Sequence, residues 1–257
     1  MDGDFRKIRV GLVNQTERTD INRERDKLQD WAIYDSSLDD MFDRYSFAND
    51  FNALVPEGFN GLREYLVEKL AYKDGKAIGV EIAGPASKLF HDLSDNHLFG
   101  RSAGFVLSDS RIPVRKEEDD TINHQVVEVS DAFSSEGYRT IQNWLGTEKA
   151  DFIIERMVAN LGSFPKDPEY LYAQLNRMYK LLAPGGVMFV MAPPFDKDDI
   201  KQNTIYQWID GIKTKYKEVI DFDSYLNDGL NGDFTGNMGF FCIRLEKLPN
   251  APAELPK

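Results

Sequence analysis

The chain has 257 residues, of which 31 are basic and 43 acidic, giving a formal net charge of -12. That length carries one sizeable α/β domain with an appendage, or at most two small domains. An acidic chain with no clustered Lys/Arg run is expected to have no nucleic-acid partner.

Residues 1–51 are polar and charge-rich, with a helical pattern at 22–33 and an acidic patch at 35–43. They read as a solvated arm or as a cap, and the boundary is placed at 1–55. From Pro56 the pattern tightens: Leu62, Leu66 and Leu70 form one stripe of a helix over 58–69, and Asp74-Gly75 marks a turn. Strands are expected over 76–83 (KAIGVEIA), 104–108 (GFVLS), 125–130 (QVVEVS) and 151–155. Helices are expected over 85–93 and 136–145, while the run 115–120 (RKEEDD) reads as a solvated loop. Further on, Leu171, Leu175, Met178 and Leu182 share one helical face, with Asp167 as N-cap and Pro168 at the first helical position. Pro184 stops that helix, Gly185 and Gly186 supply the turn, and 187–191 follows as a strand buried on both faces. A helix over 201–215 precedes two strands, near 216–222 and 240–245, separated by a Gly/Asn/Asp-rich loop. The tail 249–257 (PNAPAELPK) is expected to be disordered.

Alternating strands and helices predict an α/β fold: a doubly wound, mostly parallel seven-stranded sheet with helices on both faces and an antiparallel edge strand. Cys242, the single cysteine, cannot form an intramolecular disulfide. No apolar run approaches the roughly 20 residues of a membrane helix, and MDGDFRKIRV lacks a signal peptide's apolar core. A cytoplasmic protein with no membrane partner is therefore expected.

Ligands of open α/β sheets bind beyond the carboxyl ends of the strands, where strand order reverses. Here that point is Glu81-Ile82-Ala83-Gly84-Pro85-Ala86-Ser87, a turn of small residues opening a helix whose N-terminus can face an anionic group. Asp109 follows the second strand, 25 positions after Gly84, where a carboxylate can accept from both hydroxyls of a ribose or cap a loop. Asp131 and Ala132 follow the third strand, Glu155 and Arg156 the fourth, and Pro194 and Phe195 the fifth. Glu155 and Arg156 either orient a ligand or pair to fix their loop. His91, His97 and His124 show no metal-ligand spacing, and the first two read as solvated. No metal is expected, and no P-loop, nucleophile elbow or Cys-x-x-Cys pair occurs.

The helix–Pro-Gly-Gly–strand unit and the upstream strand DFIIERMVANL at 151–161 resemble the fourth and fifth strands of class I S-adenosylmethionine-dependent methyltransferases. The resemblance covers the domain 56–248. It implies that Glu81, Ala83, Gly84, Pro85 and Ser87 cradle S-adenosylmethionine, that Asp109 takes its ribose, and that Asp131 and the Ala132 N–H take its adenine. Glu155 would then lie near the transferable methyl group, with Arg156, Pro194 and Phe195 toward the substrate. The family places glycines where Ala83, Pro85 and Ser87 stand here, and the Asn/Asp-Pro-Pro-aromatic signature of amino-methylating nucleic-acid enzymes is missing after the fourth strand. The implied function is methyl transfer from S-adenosylmethionine to a small-molecule acceptor. The alternative is a non-catalytic scaffold or regulatory protein that kept the fold. A nicotinamide-dependent dehydrogenase is disfavoured, because Gly-x-Gly-x-x-Gly does not occur.

Overall fold

Two strands at the centre of the chain, β1 (Ala77–Ile82) and β4 (Ala150–Glu155), are buried along their whole length. Strands with parallel neighbours on either side and helices over both faces read this way, as continuous apolar runs. The computed structural model describes residues 51–82, 87–94, 97–106, 113–129, 132–155, 168–192, 200–227 and 240–257. Seven strands form one sheet: β1, β2 (Phe99–Val106), β3 (His124–Glu128), β4, β5 (Leu182–Ala192), β6 (Ile220–Asn227) and β7 (Phe240–Lys247). Their spatial order is β3-β2-β1-β4-β5-β7-β6. The pairings from β3 to β5 are parallel, and β7 runs antiparallel to both β5 and β6. The sheet is thus mostly parallel with its antiparallel part at one edge, as two closing strands without an intervening helix predict.

The period-two alternation of side chains divides the core in two. On one face Phe152, Ile154, Val187, Phe189 and Met191 pack under α1 (Leu62–Leu70) and α2 (Ser87–Ser94). On the other, Val80, Ile82, Ile153, Met188 and Val190 pack under α4 (Ser135–Leu145), α5 (Pro168–Leu181) and α6 (Ile200–Lys215). Each such side chain contributes roughly 1.5–3 kcal/mol by leaving water. Gly79 of β1 is a packing requirement: a Cβ there would lie 2.2 Å from Cε1 of the buried Phe90 ring. The Pro-Gly-Gly turn is a bulge at the start of β5, since Ala150 pairs with Leu182 but Phe152 pairs with Val187. Gly185 sits there at φ 84, and a Cβ on Gly186 would meet the Asp151 carbonyl oxygen at 2.9 Å.

Three expectations are corrected. The run 115–120 is no loop: it lies in α3 (Pro113–Thr121). Its helical face carries no apolar stripe to betray it, and one buried carboxylate, Asp119, anchors it instead. β2 begins at Phe99, five residues before the expected start, because its polar first half caps a helix: Arg101 donates to the Trp144 and Leu145 carbonyls at the end of α4. The tail 249–257 is a strap across α5 and α6, not a disordered end. Leu255 is 3 % exposed in the core, and Tyr172, Tyr179 and Trp208 donate to the carbonyls of Leu255, Pro252 and Pro256.

Residues 1–50 lie outside the described residues. Phe51 and Leu54 are buried in the same core cluster as α1, with the Phe51 ring edge-on to Phe189 at 5.3 Å. Among the described residues, no helix is long and apolar enough to cross a membrane.

Candidate functional site

The chain builds the sheet outward from β1 to β2 and β3 and then crosses back to the other side of β1 as β4, so strand order reverses between the neighbours β1 and β4. Two carboxylates flank that reversal at the carboxyl ends of these strands. Glu81 is the penultimate residue of β1 and Glu155 the last of β4, and both side chains are fully buried. Register fixes their directions. Ile82 pairs with Glu155 and Glu81 with Ile154, and Ile82 belongs to the α4–α6 core whereas Ile154 belongs to the α1–α2 core. The two carboxylates therefore emerge on opposite faces of the sheet, one on each side of the crevice. Gly104 stands opposite Glu81 on β2, leaving no side chain beside that carboxylate from the neighbouring strand. Burying a carboxylate costs several kcal/mol unless it is bonded, and neither Glu81 nor Glu155 is without a partner.

Ser87 is the first residue of α2, behind the β1 turn. Ala132 is buried in the turn between β3 and α4, followed by Phe133, which is also buried. That turn is held from two sides. Ser134 caps α4, its Oγ accepting from the Gly137 N–H at 3.0 Å, worth about 1 kcal/mol. Arg177 of α5 donates to the Phe133 carbonyl at 2.7 Å. Ala83, Gly84, Pro85, Asp109, Asp131, Arg156, Pro194 and Phe195 lie outside the described residues. The site residues that are described thus occupy the ends of β1 and β4, the start of α2 and the turn after β3.

The histidines resolve differently. His124 opens β3, at the amino end of the sheet, with Nδ1 2.8 Å from Ser102 Oγ and both side chains buried. It joins β3 to β2 at that end. His91 is half-buried rather than solvated: its Nε2 lies 2.9 Å from Asp119 Oδ1, tying α2 to α3. His97 is exposed. Neither Asp119 nor Arg177 carries a motif in the sequence; only the residue type, a charge at a helix position facing another helix, could have marked them.

A polar network of another kind joins α1, the turn after it and the sheet. Tyr65 and Lys69 of α1 both donate to Glu246 of β7, and Arg244 pairs with Asp221 at 2.9 Å. Burial first, then the Glu246 charge, pushes the Tyr65 hydroxyl well above the ordinary phenol range. For Lys73, burial pulls the ammonium down, but its hydrogen bond and attraction to Asp151 outweigh that and the net shift is upward. These groups tie α1 and the turn after it to the sheet.

No protein-family model matches the sequence, and no curated protein is significantly similar to it. Similar solved structures include one from Listeria monocytogenes assigned to the class I S-adenosylmethionine-dependent methyltransferases, 15 % identical, with TM-score 0.47. The match covers 74 % of this chain and 60 % of that protein, so the chain spans less than two thirds of its length. An O-methyltransferase from Bacillus cereus in complex with SAH is 16 % identical over 83 % of this chain and 91 % of its own, with TM-score 0.44. An rRNA methylase from Streptococcus thermophilus is 16 % identical over 72 % of this chain and 94 % of its own, with TM-score 0.44. The last of these corrects an expectation. The expected small-molecule substrate without a nucleic-acid partner does not stand, because structures similar to this one include an rRNA methylase.

Proposed function

We propose that the chain binds S-adenosylmethionine across the carboxyl ends of β1, β2, β3 and β4 and transfers its methyl group. The strand order carries this reading. It reverses between β1 and β4 and ends in an antiparallel pair of strands at one edge, and such an edge is what the resemblance to class I methyltransferases implies. A doubly wound sheet offers its ligand crevice outside the strand ends at such a reversal.

The residues present suit this cofactor in charge and size. Buried Glu81 and Glu155 flank the crevice, and carboxylates favour a cation and accept from ribose hydroxyls. Ala83, Gly84, Pro85 and Ser87 are small enough for close approach of backbone to ligand, and α2 begins at Ser87. When bound, the cofactor would supply an electrophilic methyl group on a sulfonium, whose sulfur departs as a neutral thioether. The chain's part is then to hold and aim. Asp109 accepts from the ribose, Asp131 and the Ala132 N–H receive the adenine, and Arg156, Pro194 and Phe195 face the acceptor. Such catalysis rests on proximity and in-line orientation, so a general base is not required.

One observation favours a second reading, a non-catalytic protein on the same fold. Ala83, Pro85 and Ser87 stand where the family has glycines, and a tight turn that needs φ above zero tolerates glycine far better than these residues. Calorimetric titration with S-adenosylmethionine and SAH, with NAD as control, separates the two. Micromolar binding of the adenosyl pair alone supports the first, and no binding by folded protein supports the second. If the first holds, Asp109→Ala should weaken SAH binding by roughly 1.5–3 kcal/mol, the worth of charge-assisted hydrogen bonds. An unchanged Kd would remove Asp109 from the site.

A further inference from the structure

Residues 132–134 lead the chain into α4 at the adenine end of the proposed site. Ala132 and Phe133 are 5 % and 8 % exposed, and the chain turns there directly into the capped start of α4. A backbone N–H that must meet a ring nitrogen needs the chain that carries it held in place, because a displacement of about 1 Å at a binding group loses much of a hydrogen bond. Apolar packing of Ala132 and Phe133 is non-directional, so a hydrogen bond to the Phe133–Ser134 peptide adds a directed anchor just beyond Ala132.

The directed bond comes from another helix. Arg177, on α5, donates through Nη1 to the Phe133 carbonyl at 2.7 Å. Its Nη2 lies 3.5 Å from Ser135 Oγ, and its guanidinium carbon lies 5.4 Å from the centroid of the Tyr138 ring. One planar cation therefore touches the turn, the first residue of α4 and the first turn of that helix. Its geometry is set by a fork of donors rather than by a flexible point charge. The bond is charge-assisted and short, which places it among the stronger class of protein hydrogen bonds.

We propose that Arg177 is a positioning residue for the adenine end of the cofactor site, acting through the Phe133 carbonyl on the turn that presents Ala132. The inference rests on the S-adenosylmethionine reading above and assigns Arg177 no contact with the cofactor. Loss of the bond releases the turn into several conformations, and affinity falls by the fraction still competent to bind.

The test is titration of wild type, Arg177→Met and Arg177→Lys with SAH and with adenosine, alongside thermal unfolding of each ligand-free protein. Arg177→Met should weaken SAH and adenosine by the same factor, about tenfold, because both ligands carry the adenine. Arg177→Lys, which keeps one charged donor for the Phe133 carbonyl, should recover part of that loss. Equal affinities in wild type and Arg177→Met would overturn the inference, as would a loss seen with SAH but spared with adenosine. Should Arg177→Met not fold, Arg177→Lys decides alone: a weaker affinity for both ligands at an unchanged unfolding midpoint supports the role, and an unchanged affinity ends it. If wild type itself binds neither ligand, the cofactor reading fails and takes this inference with it.

Discussion

Deleting residues 249–257 is expected to lower the thermal midpoint by roughly 10 °C. Leu255 leaves a core where it is 3 % exposed, at roughly 1.5–3 kcal/mol. Four hydrogen bonds go with it: Tyr172, Tyr179 and Trp208 lose their carbonyl acceptors, and Asn176 Oδ1 loses the Leu255 N–H as donor. Each is worth about 1 kcal/mol net, less where the released donor regains water. A total near 4 kcal/mol, at about 2–4 °C per kcal/mol for a domain of this size, gives that shift. A midpoint lowered by less than about 2 °C would mean that the strap lies on α5 and α6 without holding them.

The same contacts carry a pH signature. Burial raises the Tyr179 hydroxyl from 10.0 to about 12, so the folded protein keeps a proton that the unfolded chain releases. For an acid with a raised folded pKa, stability is complete below pH 10 and declines as pH rises toward 12. Tyr179→Phe should be less stable at neutral pH, having lost the Pro252 bond, yet show a smaller decline across that interval. Urea midpoints at neutral pH and near pH 11 measure both effects. An equal alkaline decline in Tyr179→Phe would assign the loss to other groups, of which Tyr65 and Tyr172 are also raised by burial.

The strap shows why sequence patterns read this fold well and its polar details poorly. Strands such as Ala150–Glu155 announce themselves because the feature that buries them, an unbroken apolar run, is local. The stripe Leu171, Leu175 and Met178 is local too, and all three are buried at 1 % exposure or less. The tail is not: a segment of prolines, one glutamate and one leucine has no period, and its order comes from donors on α5 and α6 that lie far away in the chain. α3 fails for a related reason. Its composition is that of a solvated loop, and the pairing of Asp119 with His91 that anchors it joins residues 28 apart. At the site the division is the same. Glu81 and Glu155 were legible because strand ends are legible, whereas Arg177 reaches the Phe133 turn from 44 residues away. Chain position says nothing about which helix face will meet which loop.

Asp151→Ala is expected to destabilise the protein by about 3 kcal/mol while leaving its ligand affinity unchanged. The Asp151 carboxylate, 1 % exposed at the start of β4, accepts from the Ile78 N–H at 2.9 Å. The β1/β2 register shifts between Ala77 and Ile78, so a side chain completes what the ladder leaves open. The other carboxylate oxygen forms an ion pair with Lys73 Nζ at 2.7 Å. One residue thus ties β1, β4 and the turn after α1. Removing it leaves the Ile78 N–H buried and unpaired at roughly 1–3 kcal/mol, whereas Lys73, with a side chain 30 % exposed, keeps enough water to lose little. Asp151→Asn separates the two parts, because an amide oxygen still accepts from Ile78 while the charge facing Lys73 is gone; it should cost about 1 kcal/mol. Denaturant midpoints give the stabilities, and SAH titration below the unfolding transition gives the affinities. All these contacts lie at the amino end of the sheet, and the proposed cofactor site lies at the carboxyl end. An Asp151→Ala protein that stays folded but binds SAH less tightly, by a factor that follows its lost stability, would show that the two ends are coupled and that Asp151 is more than scaffolding.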